Sequence, residues 1–130
     1  MSPELEQKLI DKYPTLFRSI NKPATETLIC FGCECDDGWY GLLDRTLQKV
    51  IDLDIAREIE LVQIKEKYGA LRIYFNGGDD ELDKEVYDIF NEAERESINI
   101  CERCGITESV NRTGSWIKYL CPVCTENRYK

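Results

Sequence analysis

The chain has 130 residues, with 42% hydrophobic and 32% charged side chains, the proportions of one ordinary globular domain or one domain with a small appended module. Its net charge is −8, from 25 acids and 17 bases, so a phosphate backbone is repelled over most of the surface and duplex DNA is a poor default partner. It has seven cysteines and no histidine, which removes the commonest general base and argues against a disulfide framework.

Ser2-Pro3-Glu4 is a helix start, with Ser2 as cap and Pro3 in the first helical position. Leu5, Leu9, Ile10 and Tyr13 recur at helical spacing, and Pro14 ends the helix. No apolar signal core, transit peptide or membrane span is visible, so a cytoplasmic location is expected and no membrane partner. Thr15 to Asn21 read as a connector that tucks Leu16, Phe17 and Ile20 inside, and Thr25 to Phe31 as a short strand or extended segment. The stretch Phe31 to Trp39 then turns. A second helix runs from about Trp39 to Leu53, with Leu42, Leu43, Leu47, Val50 and Ile51 as its apolar stripe.

Ile59 to Lys65 and Ala70 to Phe75 are β-rich runs joined by Glu66-Lys67-Tyr68-Gly69, which predicts a β-hairpin with Gly69 at the strained position. Asp79 and Asp80 open a long helix whose inner face is Leu82, Val86, Ile89, Phe90, Ala93, Ser97 and Ile100. From Asp79 to Ser97 there are nine acids and two bases, a solvated outer face on the simplest reading. The expected fold is α+β: residues 1–100 form a body of helices packed on a small antiparallel sheet, and residues 101–130 a zinc-ribbon or treble-clef-like module.

That module carries the most specific signal. Cys101-x-x-Cys104 and Cys121-x-x-Cys124 are two knuckle pairs separated by sixteen residues, room for a β-hairpin, with Trp116 to Leu120 as a strand leading into Cys121. Four soft thiolates suit one tetrahedral structural Zn2+ and leave no position for a reactive water. The bound site would bring the charge nearer −10. Zinc deaminases need a His/Cys-x-Glu ahead of their Pro-Cys-x-x-Cys, which this chain lacks, and a thioredoxin-like exchanger carries one such pair rather than two. Treble-clef nucleases need histidine. The expectation is therefore not an enzyme.

Cys30, Cys33 and Cys35 have no fourth sulfur; they are small buried residues or, with Asp36 or Asp37, an incomplete metal site. Gly38 permits the turn, and Trp39 is either a core anchor or a recognition residue. Lys65, Lys67, Tyr68 and Arg72 place bases and an aromatic on the hairpin in an otherwise acidic chain. They suit an acidic protein, a phosphate or a single strand, unless the bases merely pair with acids of the neighbouring helix.

Tyr13-Pro14-x-Leu16-Phe17, Cys35-Asp36-Asp37-Gly38-Trp39-Tyr40, Lys65-Glu66-Lys67-Tyr68-Gly69-Ala70-Leu71-Arg72-Ile73-Tyr74, Ala93-Glu94-x-x-Ser97 and Cys101-Glu102-x-Cys104-Gly105 resemble a family of small proteins of bacteriophages, prophages and bacterial mobile regions. Ala70 stands where that family usually has a second glycine. The resemblance implies a phage setting and no catalytic residues. Together with the acidic body it points to protein–protein contact, such as blocking the basic nucleic-acid channel of a host factor. Two other classes are carried forward: direct nucleic-acid binding through the hairpin and module, and a hydrolase holding Mg2+ on Asp36 and Asp37 or Asp79 and Asp80.

Overall fold

The computed structural model describes residues 1–128. Helix α1 spans Pro3–Lys12, and Ser2 Oγ accepts the Leu5 amide as its cap. Leu9 and Tyr13 turn inward, and the connector that follows buries Leu16 and Phe17. Arg18 fixes this connector: its Nη1 donates to the Thr15 and Ile59 carbonyls at 2.7 and 2.8 Å, and its Nε lies 3.1 Å from Glu60.

The segment expected to be extended at Thr25–Phe31 is instead turned, ending in a 3-10 helix at Ile29–Phe31. Thr27 is responsible in part, because its Oγ1 accepts the Ile29 amide and offers the backbone a local alternative to a sheet ladder. Strand β1 comes just afterwards, at Cys33–Glu34, and pairs parallel with β2 (Glu60–Lys67) through Cys33↔Ile64 and Glu34↔Lys65. Between β1 and β2 run a 3-10 turn at Asp37–Trp39 and helix α2 (Tyr40–Leu53). This is a βαβ crossover, and a crossover helix is what makes two neighbouring strands parallel.

The hairpin forms as expected. Strand β3 (Ala70–Asn76) pairs antiparallel with β2 from Lys67↔Ala70 outward, across a two-residue turn in which Tyr68 and Gly69 both have positive φ, 52° and 84°. The sheet is therefore mixed, in the order β1-β2-β3. Helix α3 (Asp80–Ser97), capped by the Asp79 carboxylate on the Leu82 amide, packs on β3 and α2. Ser97 ties helix to strand: its Oγ accepts the Leu71 amide at 3.0 Å and donates to the Glu94 carbonyl.

The main core joins Leu9, Phe17, Leu43, Leu47, Ile64 and Val86 around Trp39, all buried. Complete burial of side chains of this size stabilises by roughly 1.5–3 kcal/mol each before entropy is counted. Trp39 is thus a core anchor. A second, smaller cluster gathers Cys101, Leu120, Cys121 and Cys124. It belongs to the C-terminal module, built from strands β4 (Asn111–Arg112) and β5 (Tyr119–Leu120) and the short helix α4 (Pro122–Glu126). The strand expected over Trp116–Leu120 is shortened to its last two residues. Thr113 contributes to this: its amide still donates to the Lys118 carbonyl at 2.8 Å, but its Oγ1 takes the Lys118 amide and donates to the Trp116 carbonyl, both at 2.8 Å, so the backbone pairing goes no further. No helix among the described residues is long and apolar enough to cross a membrane.

Candidate metal centre

The first cysteine pair lies on a knuckle closed by two backbone bonds, Gly105 N–H to the Cys101 carbonyl and Cys101 N–H to the Ile106 carbonyl, each 2.8 Å. Gly105 sits at φ 86°, a left-handed position that favours glycine. The second pair lies at the start of α4. Cys121 is the helix cap, its sulfur accepting the Cys124 amide at 3.5 Å, and Pro122 occupies the first turn. The four cysteines thus close a small ribbon-like module of one short hairpin, with the second pair at the start of a short helix.

All four sulfurs lie within 4.8 Å of one another, the only group of three or more metal-ligating side chains of this kind among the described residues. Cys104 Sγ and Cys121 Sγ are 3.8 Å apart. A tetrahedron with ~2.3 Å metal–sulfur bonds has edges of about 3.8 Å, so the cluster has the dimensions to hold one metal ion. Cys101, Cys121 and Cys124 are buried and Cys104 is exposed. Burial raises the Cys101 thiol, but the amides of Cys121, Cys104 and Arg103 more than offset this and lower it to about 7. Burial and the neighbouring sulfurs push Cys124 up. A cation at the centre reverses such mutual repulsion, which is how metal binding and thiol deprotonation are linked.

The module is latched to the body at a point the sequence did not reveal. Glu102, between the first two cysteines, is fully buried. Its carboxylate accepts from Lys118 Nζ at 3.0 and 3.2 Å and from the Asp36 amide at 3.1 Å, while its carbonyl accepts the Gly38 amide at 2.7 Å. Burial raises the Glu102 carboxyl, and Lys118 opposes that. Lys118 also reaches Glu66 of β2 at 3.2 Å, and Trp39 Nε1 donates to the Ile100 carbonyl at 3.4 Å. The Asp-Asp-Gly-Trp turn is therefore the seat of the first knuckle. Nothing in the local pattern marked the burial of Glu102, since it shares the interval between Cys101 and Cys104 with Arg103, which is exposed.

The hairpin residues divide. Arg72 lies across from Lys65 in the β2–β3 ladder, and its Nε is 2.8 Å from Glu94 of α3, the ion pair foreseen as the plainer alternative. Lys67 and Tyr68 are exposed at the tip, with Lys67 Nζ 5.9 Å from the Tyr68 ring centre. Gly69 lies against Ile117 and Tyr119, so the hairpin turn packs on the C-terminal module. Cys33 and Cys35 are buried, and burial pushes the Cys33 thiol up to about 12 and Cys35 further still, so neither is an activated nucleophile. Of the carboxylate pairs, Asp79 is the cap of α3, and Asp37 Oδ1 accepts the Ser2 amide at 2.7 Å.

A cleft of ≈ 850 Å3 opens where this latch meets the N-terminus of α1, with Asp36 and Asp37 on the body side and Arg103, Trp116 and Lys118 on the module side. Trp116 is 70% exposed. Compared with known proteins, the chain matches no family model, no curated protein and no solved structure.

Proposed function

We propose that the chain is a zinc-stabilised binding protein that acts by contact with another protein, without catalysis of its own. The observation that carries this reading is the four-sulfur cluster: four thiolates complete the tetrahedron of Zn2+, so the ion holds the module together and offers no position to a substrate. The all-sulfur donor set favours zinc over magnesium or calcium, which take oxygen ligands. The acidic body, at −8, favours a basic partner. In the phage setting that the sequence resemblance implies, such a partner is a host factor whose nucleic-acid channel the protein occupies as an inhibitor.

Affinity capture from a host lysate, followed by size-exclusion chromatography and partner identification, tests the reading. The expected result is a discrete complex with one basic protein that dissociates as salt rises. Failure to retain any partner at low salt overturns it.

Direct nucleic-acid binding has one observation in its favour, the packing of the hairpin turn against Ile117 and Tyr119, which places exposed Lys67 and Tyr68 beside the module. Gel shifts with single-stranded RNA and DNA at ~50 mM salt distinguish it, since counterion release is strongest there. Retardation at that salt supports this reading, and none counts against it.

A further inference from the structure

We infer that Cys104 is an oxidation site, and that hydrogen peroxide joins it to Cys121 in a disulfide that discharges the metal and undoes the latch between module and body. The inference rests on the metal reading proposed above and names the reaction that reverses it.

Of the four clustered sulfurs, Cys104 alone is exposed. It opens into a surface recess of ≈ 340 Å3 between the module and α2, which Tyr40, Ile100 and Thr107 also line. The charges there are Asp37, Arg45 and Glu96, the last two paired at 2.6 Å. They do not decide what enters, because the reagent is small and neutral.

A redox-responsive cysteine needs access, a thiolate and a second sulfur within reach. The recess gives the first. Metal coordination gives the second, since thiolate is the ligand form, and it does so in a chain with no histidine to ionise a thiol. Cys121 Sγ, 3.8 Å away, gives the third. A disulfide requires about 2.05 Å, a closure that one exposed side chain can supply.

The cysteines of the body lack this combination. Cys33 and Cys35 are buried, and burial raises both thiols, Cys33 to about 12. Cys30 is half-buried, and its Sγ donates to the Thr27 carbonyl at 3.5 Å, which is the bond of a protonated thiol.

The chemistry has two steps. The Cys104 thiolate attacks one peroxide oxygen, the O–O bond breaks, and hydroxide leaves a sulfenic acid on the sulfur. The Cys121 thiolate attacks that sulfur, the S–S bond forms, and a second hydroxide leaves. The two thiolates lose two electrons, the peroxide gains them, and the hydroxides take protons from solvent to become water. Cys101 and Cys124 alone are then left to hold the ion. Glu102 stands between Cys101 and Cys104, and it holds the Asp36 amide at 3.1 Å and the Gly38 amide at 2.7 Å. The knuckle that moves is therefore the one that carries the latch.

The test treats the full, zinc-loaded chain with hydrogen peroxide beside a zinc-sensitive dye, and maps the thiols by alkylation and mass spectrometry. The expected result is zinc release in step with loss of free Cys104 and Cys121 and gain of a peptide cross-linked through them. Cys30 should react roughly tenfold more slowly, and Cys30→Ser should release zinc at the parent rate. Reductant with added zinc should restore the starting protein. Hydrogen exchange at the Gly38 amide should quicken on oxidation. Release before any change at Cys104 overturns the inference. So does a cross-link that excludes Cys104, or oxidation that stops there as sulfinic acid. Unchanged protection of Gly38 overturns the reach to the latch. A chain that keeps its zinc under peroxide overturns this inference and retains the metal reading, whereas a chain purified folded and without metal overturns both.

Discussion

The Gly38 amide donates to the Glu102 carbonyl at 2.7 Å, and a methyl group on Gly38 would lie 2.1 Å from the Cys101 carbonyl oxygen and 2.4 Å from that of Glu102. The backbone of the Asp-Asp-Gly-Trp turn therefore touches the backbone of the first metal knuckle, with no side chain between them. Both surfaces that would clash are main chain, so neither can swing aside.

Gly38→Ala is accordingly expected to destabilise by about 1–3 kcal/mol through overpacking and by about 1 kcal/mol more through loss of the amide bond. Gly114→Ala is the control, since nothing lies within 4 Å of its added carbon. Denaturant titration of the metal-loaded proteins measures both. Equal stabilities would mean that the knuckle does not rest on this turn.

Glu102 and Lys118 make a second test of the latch. Lys118 is the cation that compensates a carboxylate with no exposure to water. Lys118→Met strands that carboxylate, at a cost of roughly 3–5 kcal/mol. Adding Glu102→Gln removes the stranded charge while keeping an oxygen for the Asp36 amide, so the double variant is expected to recover most of the loss. Thermal unfolding of the four proteins completes the cycle. Additive effects would show that the two side chains act independently.

The sequence made some parts of this architecture plain and hid others, for a common physical reason. The helices, the hairpin and the four cysteines announce themselves through local pattern: Ser2-Pro3 as cap and first turn, the apolar stripe of α2, the paired knuckles. Long-range contacts leave weaker marks. Strand β1 has two residues and owes its existence to the register with Ile64 and Lys65 across a crossover helix. Thr113 helps to shorten β5 by a side-chain bond that no periodicity encodes. Glu102 reads as an ordinary surface acid until Lys118, sixteen residues away, and Asp36, sixty-six residues away, are placed beside it. The cysteine cluster could be read in advance because its spacing suits one ion, whereas the cleft depends on how two separately legible pieces dock.

Metal removal follows from the small size of the module's own core, which beyond its cysteines holds Leu120 with Val110 packed against it. Structural four-ligand zinc sites in small peptides supply apparent binding energies of ~10–16 kcal/mol, comparable with the whole ~5–15 kcal/mol stability of a domain. Elemental analysis should give one zinc per chain. A strong chelator should unfold the module and release the Gly38 contact, and Cys121→Ser or Cys124→Ser should bring the same loss without chelator. Purified protein that is folded and free of metal would refute the assignment. Replacement by Co2+ gives a second reading, because tetrahedral thiolate coordination produces intense visible bands that a site with exchangeable water does not share.

Tyr13 offers a test of the body alone, away from the metal. Its hydroxyl donates to Asp44 Oδ1 at 2.5 Å from a ring that is 2% exposed. Burial, reinforced by that bond, raises the phenol to about 12, and the same hydroxyl, with Lys12, holds the Asp44 carboxyl below its ordinary value. The two signs give opposite limbs. A raised phenol stabilises the fold fully below its unfolded value near 10, and this contribution is lost as pH rises through about 12. A depressed carboxyl stabilises above its unfolded value, and this contribution is lost as pH falls through the depressed one. Tyr13→Phe removes the bond and is expected to cost about 1–2 kcal/mol at neutral pH. The difference between parent and variant should shrink at both the acid and the alkaline extremes. Alkaline absorbance titration adds a direct readout: one phenol of the seven should ionise well after the exposed ones while the protein stays folded, and that late step should vanish in the variant. A late step that survives Tyr13→Phe would assign it to another ring and break the link to Asp44.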